Sequence, residues 1–165
     1  MRFTMCVTVC RERRNYTIWV MTGRILAVDV GARRVGLAIS DASRTLARPL
    51  ETITVTSEAD AVDRVARRIE QLDGEDEGIA TIVVGLPSRL DGTPTPQTAR
   101  VTAFIARLKT QTKLPIDTED ERLTSREAES RLALRERDWR KRKAQLDAAS
   151  AAIFLQDYLD REPSS

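Results

Sequence analysis

Two apolar runs, Arg24 to Val30 (RILAVDV) and Val35 to Ser40 (VGLAIS), stand apart by only the turn-like Gly31-Ala32-Arg33-Arg34. This spacing constrains the fold more than any other feature. Each run has the length of a buried strand and is too short for a helix. So short a link joins strands only as an antiparallel hairpin, because a parallel crossover takes about a dozen residues or more. A third strand is expected over Glu51 to Val55, after Pro49. The rhythm then changes. Glu58 to Leu72 reads as an amphipathic helix, with Ala61, Val62, Val65, Ala66 and Ile69 on one face and Asp63, Arg64, Arg67 and Arg68 largely outside.

Gly74 to Gly78 forms an acidic turn, and Ala80 to Gly85 (ATIVVG) reads as a buried strand ended by Leu86-Pro87. A loop over Ser88 to Pro96 leads to a helix from Gln97 to Thr110 that gathers Val101, Phe104, Ile105 and Leu108. Leu114 to Thr118 is a fifth strand. Thr124 with Glu127 makes a capping box that opens another helix, and Ala144 to Leu159 is the final one. Three strands joined by tight turns, followed by alternating helices and strands, predict an α/β domain: a five-stranded mixed sheet flanked by helices. A dinucleotide fold is excluded, because there are too few βαβ units and Gly31 and Gly36 do not supply G-x-G-x-x-G.

A chain of 165 residues with 41 % apolar side chains suffices for one domain with a real core. That domain is expected over residues 24–160, with a short tail at 161–165. Residues 1–23 read as an N-terminal extension. Arg11, Glu12, Arg13 and Arg14 interrupt its apolar content, which speaks against a signal peptide. It reads either as an additional strand over Thr17 to Met21 or as an artefact of an upstream start. No apolar run reaches the roughly 18 residues of a membrane span. Cys6 and Cys10 form a lone C-x3-C with no second ligand pair, a poor zinc site and a poor disulfide framework. Free thiols fit a reducing cytoplasm.

Histidine is absent. Serine or cysteine triads and histidine-containing zinc sites are therefore excluded, and hydrolytic chemistry would fall to carboxylates, metals, Lys, Ser/Thr or Cys. Three carboxylates occupy unusual places. Asp29 lies within the apolar run Ile25 to Val30, where an ionised side chain needs a partner or a cation. Its other reading is a hydrogen bond to the Gly31 turn. Asp120 and Glu121 follow the fifth strand; side chains alternate there, so the two do not share a role, and local sequence neither chooses between them nor sets a site above an ordinary solvated charged turn. Asp147 is followed by Ala151, Phe154, Leu155 and Tyr158 at helical spacing, which puts it on the apolar face at the start of the last helix. It serves there as a ligand or as a helix cap.

Carboxylates without histidine suit Mg2+ or Mn2+ rather than zinc. Two such ions activate water and stabilise the leaving oxygen in phosphodiester hydrolysis. The net charge of +2 is too small to specify a nucleic-acid partner, but its placement is suggestive. Arg33 and Arg34 follow Asp29, Arg44 and Arg48 follow the second strand, and Arg140 to Lys143 precede Asp147, beside the single aromatic Trp139.

With these residues in view, the chain resembles the bacterial YqgF-type pre-16S rRNA nucleases, also called Holliday junction resolvase-like proteins. The resemblance rests on Asp29-Val30-Gly31 with Arg34 and Gly36, Gly85-Leu86-Pro87 with Asp91-Gly92, Asp120-Glu121-Arg122-Leu123-Thr124, and Arg142-Lys143 leading to Asp147-Ala148-Ala149-Ser150-Ala151-Ala152, in that order. It implies a ribonuclease H-like fold, with Asp29, Glu121 and Asp147 as catalytic metal ligands, so that Glu121 rather than Asp120 is chosen by resemblance. Arg34, Arg122, Arg142 and Lys143 become candidates for contacting nucleic acid or fixing the acids. The implied activity is metal-dependent maturation of the 5′ end of precursor 16S rRNA in the cytoplasm, by a monomer or homodimer. Resolution of branched DNA and non-catalytic binding of ribosomal RNA precursor are the competing classes. Sugar-kinase and actin-type ATPases share a D-x-G turn, but they need a second domain for which the chain has no room.

Overall fold

The computed structural model describes residues 23–87, 95–120 and 139–161. Strands β1 (Arg24–Val30), β2 (Arg34–Ser40) and β3 (Ala47–Thr54) lead into helix α1 (Glu58–Asp73). Strand β4 (Ile79–Leu86), helix α2 (Pro96–Gln111), strand β5 (Ile116–Asp120) and helix α3 (Trp139–Arg161) follow. The sheet runs β3-β2-β1-β4-β5. The β1/β2 and β2/β3 pairs are antiparallel, whereas β1/β4 and β4/β5 are parallel. This is the five-stranded mixed sheet expected from the spacing of the apolar runs.

Alternation along β1 and β2 separates two cores. Leu26, Val28, Val30, Val35, Leu37 and Ile39 face α1 and α2. Ile25, Ala27 and Ala38 face α3, which contributes Ala151, Ala152, Phe154, Leu155 and Leu159. That second cluster combines the small Ala27, Ala38, Ala151 and Ala152 with the bulky Ile25, Phe154 and Leu155. Helix α1 starts where Ser57 accepts a hydrogen bond from the Asp60 amide, and α2 where Thr95 and Thr98 form a reciprocal cap ahead of Pro96.

Three boundaries differ from the sequence reading. Strand β3 begins at Ala47 and runs through Pro49. It is an edge strand, where a residue lacking an amide hydrogen is tolerated, and a register irregularity lies beside it. Strand β5 is shifted toward its C-terminus and starts only after Pro115. Helix α3 starts at Trp139 rather than Ala144, taking in the basic run Arg140 to Lys143. Arg and Lys are good helix formers, so the run extends the helix instead of preceding it. The capping box at Thr124 and Glu127 lies outside the described residues.

Candidate active site

Strands β1, β4 and β5 are parallel, so their C-terminal ends share one edge of the sheet. Asp29 stands there, one residue from the end of β1, on the face that also carries Ile25 and Ala27. It pairs directly with Gly36 across the β1/β2 ladder. Helix α3 passes over this point. A side-chain carbon at Gly36 would collide with the carbonyl of Asp147 and lie 2.9 Å from the Ala148 amide nitrogen. The absence of that carbon lets the backbone of Asp147 lie against β2 at the residue opposite Asp29, though the two acids are far apart in the chain.

Asp147 has a basic neighbour. Its Oδ2 is shielded from solvent and lies 2.7 Å from Nε of Arg34 in an ion pair. Arg34 shares the face of Gly36 and Ala38, whereas Arg33 is exposed on the preceding turn. On the far side, Asp117 and Glu119 of β5 project toward α3. The Tyr158 hydroxyl donates to Asp117 at 2.9 Å, and Arg161 pairs with the buried Glu119.

The family model described as "RuvX: Holliday junction resolvase" matches residues 23–161. The chain belongs to the RuvX family. A relative from Chloroflexus aurantiacus, named "Putative pre-16S rRNA nuclease", is 40 % identical over 141 residues, covering 86 % of this chain and 89 % of its own. One of the same name from Roseiflexus sp. (strain RS-1) is 38 % identical over 140 residues, covering 85 % and 96 %. Among solved structures, RuvC of T. thermophilus in complex with a Holliday junction substrate is similar, with a TM-score of 0.51 and 15 % identity. It covers 86 % of this chain and 97 % of that one. That likeness is one of fold, and the fold is ribonuclease H-like.

In this RuvX-family chain two of the three expected acids lie on one face of the sheet: Asp29 is opposite Gly36, and the backbone of Asp147 passes over Gly36. Glu121 and Arg122 lie outside the described residues; β5 ends at Asp120, immediately before Glu121. Among the described residues no group of three acids gathers as a metal cluster. The capping reading of Asp147 is corrected: α3 begins at Trp139, more than two turns earlier, so Asp147 sits inside the helix. Arg142 and Lys143 belong to the same helix, Lys143 one turn before Asp147. Arg44 has a structural task, donating from Nε to the Gly23 carbonyl at 2.9 Å. Glu119 was missed by the sequence reading. Its signal was the alternation of β5, which sets Asp117 and Glu119 on the helix-facing side, but the register of that strand comes only from its pairing with β4.

Proposed function

We propose that this chain is a nuclease hydrolysing phosphodiester bonds in precursor 16S rRNA, with Mg2+ or Mn2+ held by Asp29, Asp147 and Glu121. The observation that supports it is the close pass of α3 over Gly36, which sets Asp147 beside the strand position opposite Asp29. Both donors are hard carboxylate oxygens, and clustered carboxylates call for a cation. That the guanidinium of Arg34 already sits on Asp147 supports a site built for positive charge. The donor set therefore fits the ion.

When bound, such ions supply an activated water and a stabilised leaving oxygen. The protein's part is placement. β1 fixes Asp29 by its ladder to β2, α3 fixes Asp147 by burying Ala148, Ala151 and Phe154, and β5 carries the chain to the position before Glu121 at the same edge. Open α/β sheets bind ligands at the carboxyl ends of their strands, the edge at which Asp29 lies and β5 ends. Arg122, Arg142 and Lys143 would grip phosphates flanking the scissile bond. The names carried by the relatives support ribosomal RNA as substrate. The description of the family model favours a second reading, cleavage of branched DNA.

The deciding experiment compares wild type with Asp29→Asn on a 5′-extended 16S precursor and on a four-way DNA junction, with Mg2+, Mn2+ or EDTA. The expected result is metal-dependent cleavage of the RNA that the variant loses while melting at a similar temperature. Cleavage of the junction alone would replace RNA with branched DNA. RNA bound but never cut would make the protein an assembly factor.

A further inference from the structure

Two consecutive arginines follow the β1/β2 turn, and the fold uses them differently. Arg33 is exposed, whereas Arg34 lies on the face of the sheet that α3 covers and reaches Oδ2 of Asp147. The side chains of Arg34 and Asp147 are only 25 % and 29 % exposed, so the pair is screened less than a surface ion pair. Asp29 stands opposite Gly36, two residues along β2 from Arg34. One cation of the chain's own is therefore paired with Asp147, on the sheet face that also carries Asp29.

A divalent ion on these carboxylates and the guanidinium on Asp147 answer the same negative charge. Two ligands that satisfy one charge oppose each other, and each lowers the other's affinity by the same factor. We propose that Arg34 is a placeholder for the metal: it holds Asp147 in the metal-free protein and is displaced when the divalent cation binds. This rests on the metal reading of Asp29 and Asp147 given above. The arrangement keeps the two acids from repelling each other while the fold forms. It also sets the ion's affinity lower than the carboxylates alone would give.

The test titrates Mn2+ alone into the EDTA-stripped full chain, following the free ion by electron paramagnetic resonance. Arg34→Gln is expected to bind Mn2+ about tenfold more tightly than wild type, an ordinary size for coupling of this kind. Arg34→Lys, which keeps the charge, should stay near wild type, and Asp29→Asn should lose the ion. General damage to the fold would weaken binding, so a gain separates the placeholder from a merely structural role. Nuclear magnetic resonance of the unsubstituted protein gives a second reading: the Arg34 Nε–H signal, protected in EDTA, should lose its protection on saturation with Mg2+. Arg34→Gln binding no tighter than wild type, with Asp29→Asn still losing Mn2+, would overturn the placeholder and leave the metal site standing. An Arg34 signal unmoved by Mg2+ would do the same. Mn2+ binding unaffected by Asp29→Asn would remove the metal reading, and the placeholder with it.

Discussion

Gly36 is the residue on which the meeting of the two acids depends. Its importance comes from space rather than from backbone conformation: it lies in regular strand, paired with Asp29 and Thr52. The atoms a Cβ would strike, the carbonyl of Asp147 and the amide of Ala148, belong to helix backbone and have little freedom to yield. Gly36→Ala is therefore expected to destabilise the protein by about 1–3 kcal/mol, the usual range for overpacking a tight interior. Cleavage should fall further than stability does, because the helix must lift exactly where Asp147 sits. Urea unfolding and cleavage rates below the melting transition check this. An Ala variant of wild-type stability and activity would mean the helix can shift without disturbing the acids. Which backbone Gly36 meets is visible only in the fold.

At the scale of elements, the β2–β3 hairpin shows how a turn is held by one carboxylate. Asp41 accepts from the Ser43 hydroxyl, and its Oδ1 accepts from the Thr45 and Leu46 amides at 2.8 and 3.0 Å. The Ser43 bond, then the Leu46 and Thr45 amides, hold its pKa below the ordinary carboxylate value. Asp60, bonded by the Thr56 amide and by Arg64 at the start of α1, is lowered in the same way. A pKa depressed by folding contributes stability that is complete above the unfolded value and is lost as pH falls through the folded one. Ser43→Ala should raise the pKa of Asp41 toward the ordinary value while leaving Asp60 unchanged, so the turn loosens at a higher pH on acidification. A carboxyl-carbon titration by nuclear magnetic resonance reads both groups in one experiment. Equal values for Asp41 in the two proteins would show that the amides alone set it.

For the whole molecule, the net charge of +2 hides an uneven distribution. Several of its arginines are engaged internally: Arg24 with Glu75, Arg68 with Glu51, Arg64 with Asp60, Arg34 with Asp147. The basic run Arg140 to Lys143 belongs to α3, ahead of Asp147 in the same helix. Replacing Arg142 and Lys143 together with glutamine should weaken RNA binding. Each lost phosphate contact takes about 0.7 from the slope of log affinity against log salt for a single strand. The gap between variant and wild type should therefore narrow as salt rises, and parallel salt dependences would remove this run from the RNA interface.

Periodicity and spacing alone determined the strands, α1, α2 and the mixed sheet, because burial on one face or two leaves a local pattern and a short link permits only a hairpin. An acid inside an apolar run marked Asp29 for the same reason. Helix α3 was harder: its first turns carry no apolar stripe, so its start at Trp139 left no local mark, and Asp147 stood open between ligand and cap. Only the tertiary structure decided that Gly36 admits the helix, that Asp147 pairs with Arg34, and that Glu119 is buried beside Arg161. Each of those is a contact between residues distant in the chain. Such contacts depend on how a helix lies across a sheet, a geometry that no single segment contains.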